Sequence, residues 1–180
     1  MTTLNTSYAE QEAAFVGMLA SITMVKKAST LVQGEASAEI PFGVVVCQGD
    51  ASSVAGTPDD ALLMVDVNSK MLGIVLHSHD YTRGSDLGDT GVKPARLLAV
   101  LEYGEVYAYC EAGAYVKGAQ LYARYTTNGA GKSQKGALRI DTDSTKAVLN
   151  KGITAMETKT LAAEGYVKVR VDIAAYLASL

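Results

Sequence analysis

The residues whose types and spacing best suit chemistry are His77 and His79, which flank Ser78 and precede Asp80. On a strand, residues two apart point to the same side, so the two imidazoles could chelate a metal ion. A site would still need further ligands, and Asp80 would point the other way if the strand continued. The chain has only two His, and their spacing misses the His-x-His-x-Asp-His pattern of metallo-hydrolases. We interpret them as polar residues where a strand enters a loop, and we expect neither a metal site nor a cofactor.

A second candidate is Gly129–Ser133, Gly-Ala-Gly-Lys-Ser, which resembles the end of a phosphate-binding P-loop. That motif needs a Gly five residues before the Gly-Lys pair, where this chain has Thr126. It also needs a following helix that aims its N-terminus at the phosphate. The residues that follow lead instead into a strand-like run, Ala137–Ile140. We therefore predict a hairpin tip here and no nucleotide site.

The remaining candidates for catalysis are equally incomplete. Asp141 and Asp143 have the alternate spacing of cation loops, but the Gly and distal Glu of an EF-hand are missing, so we predict a side-chain-capped turn. No Ser lies in a Gly-x-Ser-x-Gly elbow. Cys47 and Cys110 lie in apolar segments and are interpreted as buried free thiols. The pair Glu102 and Glu105 flanks a predicted hairpin turn and is most simply interpreted as solvated. We expect no catalytic residues and no enzyme.

Composition narrows the class of protein further. The 180 residues suit one domain with or without an attached arm, and the net charge of −3 argues against a nucleic-acid partner. No apolar run approaches the roughly 20 residues of a membrane-spanning helix, and the N-terminus does not resemble a signal peptide. We therefore expect no membrane partner and synthesis in a cytoplasm. Ten Tyr and no Trp suit half-buried sheets and protein interfaces.

The elements that must position these residues are short strands. Apolar runs and alternation between turns predict nine to twelve strands in a mainly β fold, and no long helix separates them. Arg96–Tyr103 and Glu105–Cys110 are predicted to form a hairpin around Gly104. The clearest predicted strands are Phe42–Cys47, Leu62–Val67, Met71–Leu76, Arg96–Tyr103, Glu105–Cys110, Ala119–Tyr125 and Tyr166–Asp172. In Tyr166–Asp172, the alternation predicts that Val167, Val169 and Val171 face the core and that the opposite face is solvated. In Ala119–Tyr125, it places Gln120, Tyr122 and Arg124 on the face opposite the other four residues.

The first 36 residues differ from the rest. Ser7 and Glu10 have capping-box spacing, but Gly17 and β-branched residues disfavour a long helix, so we predict at most a short helix followed by extended chain. This segment has too few apolar residues to form a core of its own, so it either packs on the domain or reaches a neighbouring subunit. We predict an N-terminal arm at 1–36 and a β-rich domain at 37–180.

Several stretches together resemble one known family, the structural cement (decoration) proteins of tailed-phage capsids. The residues that carry the resemblance are Val16–Ala20 in the arm, Ala38–Gly49 at the start of the β domain, Leu72–His77, Tyr103–Ala108 and Ala114–Tyr122. The resemblance spans roughly residues 15 to 175. It implies a β-barrel or jelly-roll-like domain with an extended N-terminal arm, which overrules the short helix, and it implies no enzymatic activity.

The resemblance also implies partners and a location. The protein would sit on the outer surface of the virion capsid as a homodimer or homotrimer and bind the major capsid protein. Contacts are expected in residues 1–36, the loop 77–94 and the C-terminal segment 173–180, whose other interpretation is a tail that covers the core. The predicted partner-binding residues are Phe15, Met18, Leu19, Tyr81, Arg83, Tyr176 and Leu177.

Two other functions remain open at this point. One is a β-rich virion module that binds a ligand such as a carbohydrate, although lectin-like sites often use Trp and this chain has none. The other is a small metal-dependent enzyme built on His77 and His79. Metal content and the effect of His79→Ala would distinguish the enzyme from the structural protein.

Overall fold

The computed structural model describes residues 14, 16–20, 27–35, 37–49, 60–77, 90–129 and 132–178. Thirteen strands and one short helix lie in these ranges. Their bounds are β1 Lys27–Gln33, β2 Ile40–Pro41, β3 Val45–Gln48, β4 Asp60–Leu63, β5 Met71–Val75, β6 Gly91–Val92, β7 Leu97–Cys110, β8 Gly113–Tyr115, β9 Gln120–Arg124, β10 Leu138–Arg139, β11 Ala147–Ala155, β12 Lys159–Leu161, β13 Gly165–Asp172 and α1 Ile173–Leu177. The mainly β prediction is confirmed. The count exceeds the predicted nine to twelve because β2, β6 and β10 have two residues each, too few to produce a pattern.

Nine strands form one sheet that closes into two rings sharing β7. The first ring runs β1-β4-β3-β5-β7 and closes through β1 and β7. The second runs β7-β10-β9-β11-β13 and closes through β7 and β13 as a five-stranded barrel. Closure leaves fewer unpaired edges than an open sheet would have. The predicted barrel class is therefore confirmed, with β7 as the strand common to both rings.

The predicted hairpin around Gly104 is wrong, because β7 continues through this residue. On one stretch β7 pairs with β1, from Leu97 to Tyr103, and on the next it pairs with β13, from Tyr103 to Cys110. Gly104 has a φ of 148°, a value that residues with a side chain rarely adopt. A Gly inside a strand is compatible with a local bend, and here it lies where β7 passes from one ring to the other.

The alternation predicted for the last strand is confirmed. Val167, Val169 and Val171 of β13 are fully buried, while the residues between them are half-buried. The buried apolar residues in the described part of the chain form two clusters, and β3 contributes to both: Val46 belongs to one, whereas Val45 and Cys47 belong to the other. Successive strand residues point to opposite faces, so one strand can line two cores.

The structure covers parts of the three segments that were predicted to contact partners: the loop 77–94, the arm 1–36 and the C-terminal segment 173–180. Most of the predicted 77–94 loop lies outside the described residues, but it ends in β6, which pairs with β2. β1 falls within the predicted arm and pairs along β7, while the division at residue 36 stays a prediction. Asp172 caps the N-terminus of α1, because its carboxylate accepts a hydrogen bond from the Ala175 backbone N–H. Among the described residues, no helix is both long and apolar enough to cross a membrane.

Candidate functional site: the docked N-terminal arm

Residues 16–20, here called the arm segment, lie along β7 as a short additional strand. The Gly17 N–H donates to the Tyr107 carbonyl at 2.7 Å, and the Tyr107 N–H donates to the Met18 carbonyl at 2.9 Å. The Ala20 N–H donates to the Glu105 carbonyl, also at 2.9 Å. Leu19 forms an antiparallel bridge with Val106 and packs on the larger core cluster. The arm is therefore joined to the sheet by main-chain bonds at this point.

The arm segment fills a stretch of β7 between the two rings. Before it, the Leu76 N–H donates to the Ala99 carbonyl, and after it the Tyr109 N–H donates to the Gly43 carbonyl. Without the arm segment, the Glu105 and Tyr107 backbone groups that bond to it would lose these partners. Unpaired strand groups are costly when buried and prone to unwanted pairing when exposed. Docking of the arm segment thus supplies hydrogen-bond partners to this part of β7, the strand that the two rings share.

Two glycines allow the close approach that docking requires. Gly17 has a φ of 80°, and a Cβ there would lie 2.8 Å from the His77 backbone nitrogen. Gly43 has a φ of 73°, and a Cβ there would lie 2.3 Å from Val16 Cγ1 and 3.0 Å from the Tyr109 backbone nitrogen. Both the backbone conformation and the space therefore favour Gly at these positions.

The chain just after the end of β5 also bonds to the arm segment. The His77 N–H donates to the Gly17 carbonyl at 2.9 Å, and the imidazole packs on Phe42 with ring centroids 4.4 Å apart. We call the contact of Gly17, Gly43, His77 and β7 the arm clamp. It brings together residues from four of the stretches that carry the family resemblance. The sequence contained these motifs, but their meeting at one place depends on the fold.

Of the predicted partner-binding residues, two lie in the arm segment, two lie on α1, and three lie outside the described part of the chain. Met18 and Leu19 belong to the arm segment and are half-buried. On α1, Tyr176 is 8% exposed and packs in the core, whereas Leu177 is 55% exposed. Tyr176 therefore covers the core, as one of the two interpretations of this tail held. Phe15, Tyr81 and Arg83 lie outside the described residues. Their contacts with a partner, like those of the other four, stay predictions.

A buried ionic network lies at the β9–β10 end of the second ring. Glu111 accepts hydrogen bonds from the Arg124 Nε and Nη2 groups and from Arg139 Nη1, the last at 2.7 Å. Arg124 is fully buried, although the alternation of β9 places it on the polar face. The carboxylates of Glu111 and Asp143 replace water around the guanidinium, so Arg124 can be buried on this face.

Asp143 connects this network to two loops. Its carboxylate accepts hydrogen bonds from Arg124 at 2.5 Å and from Asn128 at 2.9 Å, and it is 2.9 Å from Arg139 Nη1. Burial tends to raise the pKa of Asp143, but the hydrogen bonds from Arg124 and Asn128 and the two guanidinium charges outweigh burial and hold it well below its ordinary value. The predicted capped turn is confirmed as well, since the Asp143 N–H donates to the Asp141 carboxylate at 2.9 Å.

The lowered pKa of Asp143 predicts acid sensitivity. The folded carboxyl releases its proton at a lower pH than the unfolded one, so its stabilisation is complete above the ordinary value of 3.8 and is lost as the pH falls below it. We expect the wild-type free energy of unfolding to decline more steeply below pH 4 than that of Asp143→Asn. Denaturant titrations between pH 2.5 and 7 measure both. Parallel pH profiles for the two proteins would contradict the assignment.

A second set of charges lies on the outer face of β7 and β13. Glu105 is 7% exposed and lies 2.8 Å from Lys168 Nζ and 3.2 Å from Arg170 Nη2. The hydrogen bond from Lys168, together with that from Arg170, lowers the pKa of Glu105 against the effect of burial. The interpretation of Glu105 as a solvated residue is therefore wrong, although its two basic partners remain partly exposed.

The two cysteine thiols are shielded from solvent. Cys47 and Cys110 are buried free thiols, as predicted, and burial raises their pKa to about 11 and about 12. Thiols in this state are poor nucleophiles at neutral pH. Within the described ranges, no three or more His, Cys, Asp or Glu residues are grouped so that they could hold a metal ion. His79 lies outside those ranges.

Comparisons with known proteins agree with the motif resemblance. Residues 4–172 match the model of a family described as structural cement protein (E217 gp24/Pam3 gp6). The fold is similar to a chain in a solved structure titled "The capsid of Myoviridae Phage XM1", with a TM-score of 0.62 and 15% sequence identity. The similarity covers 95% of this chain and 98% of that chain. The search of curated proteins found no match.

Proposed function

This chain belongs to the structural cement protein family, and from that membership we propose that it binds the outer surface of the major capsid protein shell and thereby stabilises the phage head. The observation that carries the proposal is the family match over residues 4–172 of 180. Its role is that of a capsid cement protein located on the virion. What we propose beyond this role is that the partner is the major capsid protein and that the contact lies on its outer surface.

The arm clamp supports this function physically. It fixes residues 16–20 on the sheet, so the residues before them start from a defined place on the domain. We propose that Phe15, which precedes the arm segment, and Met18, which lies within it, contact a neighbouring subunit, as do Tyr81, Arg83 and Leu177. The same proposal includes self-association as a dimer or trimer. A modest contact repeated on every capsomer adds up to large stabilisation of the shell.

The family indicates a structural role, and we propose that the chain has no catalytic activity. The shielded thiols agree with that, because neither Cys47 nor Cys110 has the lowered pKa of a reactive cysteine. The charged side chains described above bond to one another and thus serve the packing of the barrel. A structural role of this kind requires no cofactor.

The proposal is tested with capsids assembled without this chain. Purified protein is added to them, unbound protein is removed, and the particles are imaged and heated. We expect regular density on the outer surface and a higher temperature of capsid disruption than in particles without the protein. The matched control is the same protein after thermal unfolding. Capsids that bind no protein, or that resist heat equally well without it, would contradict the proposed function.

A further inference from the structure

The loop between β9 and β10 contains the dipeptide Asn128-Gly129. Asparagine is a chemically labile residue, because the backbone nitrogen of the next residue can attack its side-chain carbonyl carbon. A glycine in the next position favours this attack, since it has no side chain to obstruct ring closure and its backbone reaches many conformations. The dipeptide therefore has the sequence that most favours a reaction of Asn128 with its own backbone.

The structure leaves the reacting groups accessible. Gly129 is exposed, and a Cβ there would meet nothing within 4 Å. Within the described ranges, no backbone carbonyl accepts a hydrogen bond from the Gly129 N–H. The Asn128 N–H does donate to the Lys132 carbonyl at 3.0 Å, but that bond does not involve the Gly129 nitrogen. Water can reach this peptide bond, and the nitrogen is free to approach the side chain.

The side chain of Asn128 supports the buried ionic network. Its Nδ2 group donates to the Asp143 carboxylate at 2.9 Å. The same carboxylate accepts a hydrogen bond from Arg124 at 2.5 Å and lies 3.5 Å from Lys132 Nζ. The bond from Asn128 must open before the side chain can react, and a half-buried loop residue opens at a low free-energy cost. A chemical change at Asn128 therefore reaches Asp143 directly.

We propose that Asn128 is a site of spontaneous deamidation, at which a side chain that supports the Asp143 network becomes a carboxylate that opposes it. The Gly129 nitrogen forms a bond to Asn128 Cγ while the bond from Cγ to Nδ2 breaks, and the Gly129 N–H proton leaves with the amide as ammonia. Water then opens the cyclic imide at either carbonyl and gives aspartate or isoaspartate. The reaction consumes one water and releases one ammonia, with no oxidation or reduction.

The product reverses the interaction with Asp143. A hydrogen-bond donor is replaced by a second carboxylate, and two neighbouring carboxylates repel each other. Isoaspartate also adds one carbon to the backbone of the loop. A protein on a virion is not renewed after assembly, so a slowly formed product accumulates there. The modification thus weakens the β9–β10 end of the second ring as the particle ages.

The first test follows the full-length protein during incubation at mildly alkaline pH. Peptide mass spectrometry measures the replacement of an amide by a hydroxyl and the isoaspartate content at each asparagine. Asn68 is exposed but precedes Ser69, and Asn150 is 1% exposed and precedes Lys151, so both serve as internal controls. We expect conversion at Asn128 to be several-fold faster than at Asn68, and we expect none at Asn150.

Three variants connect the chemistry to stability. Gly129→Ala should slow conversion at Asn128 several-fold, and its urea midpoint should stay constant during incubation while that of the wild type falls. Asn128→Asp supplies the aspartate product directly. Its midpoint should be lower than that of Asn128→Ala, which removes the donor to Asp143 without adding a charge.

Conversion at Asn128 that is no faster than at Asn68, or equally fast in Gly129→Ala, would overturn the proposed modification. A fully converted protein, or Asn128→Asp, that unfolds at the wild-type midpoint would overturn the proposed effect on the network. Neither measurement involves a capsid, so its outcome is independent of the proposed cement function.

Discussion

Replacing Arg124 by Met is expected to lower the free energy of unfolding by about 3–5 kcal/mol, the usual cost of removing one partner from a buried ionic group. Arg124 is fully buried and bonds both Glu111 and Asp143. In the variant these two carboxylates would share Arg139, and at least one of them would remain buried without sufficient compensation. Met fills much of the same volume, so the loss reports charge rather than a cavity. Urea denaturation at pH 7 measures it.

Arg170→Met is the matched control for this prediction. Arg170 also pairs with a glutamate, Glu105, but its side chain is 40% exposed and the distance is 3.2 Å. Exposed ion pairs contribute about 0–1 kcal/mol because water and salt screen them. Lys168 would also continue to pair with Glu105. If both Arg→Met variants lost similar stability, burial of the Arg124 network would not be the cause.

The second large effect is expected at the arm clamp. Gly43→Ala combines a left-handed backbone, which costs about 1–2 kcal/mol for a residue with a side chain, with overpacking against Val16 and Tyr109, which costs about 1–3 kcal/mol. We expect the free energy of unfolding to fall by about 2–5 kcal/mol, the sum of the two costs. Alternatively, residues 16–20 are released from β7, which relieves the overlap with Val16. Release would expose the Tyr107 N–H, which donates to the Met18 carbonyl. Hydrogen exchange at Tyr107 measures this opening.

Gly118→Ala provides a control with the same backbone demand and no neighbours. Gly118 has a φ of 89°, and a Cβ there would meet nothing within 4 Å. This variant should show only the conformational cost and should leave hydrogen exchange at Tyr107 unchanged. Equal destabilisation by the two substitutions, with equal protection of Tyr107, would mean that the clamp is not tightly packed. Reduced capsid binding by Gly43→Ala alone would further support a role of the arm in attachment.

Local patterns were sufficient for much of the fold. The alternation in Tyr166–Asp172 correctly predicted which residues of β13 are buried, and the run from Met71 correctly located β5. These predictions succeed because a strand with one face in a core repeats every two residues. Gly104 was misread as a turn, because a Gly that lets a long strand bend has the same local signature as a Gly that ends one.

The candidate site was harder to predict because its residues are far apart along the chain. Gly17, Gly43 and His77 are separated by dozens of residues, and each glycine looks ordinary until the other segment lies against it. The β10–β11 turn was recognised from Asp141, but the role of Asp143 was not, because its partners Arg124 and Asn128 come from other elements.

The sequence by itself therefore determined the β class, the inward faces of the main strands, the buried thiols and the family motifs, because each depends on residues close along the chain. Only the tertiary structure decided that the arm segment completes β7, that β7 serves two rings, and that Arg124 is charged yet fully buried. Those outcomes follow from ring closure, which brings remote edges together and places an arginine of a polar strand face among carboxylates instead of water.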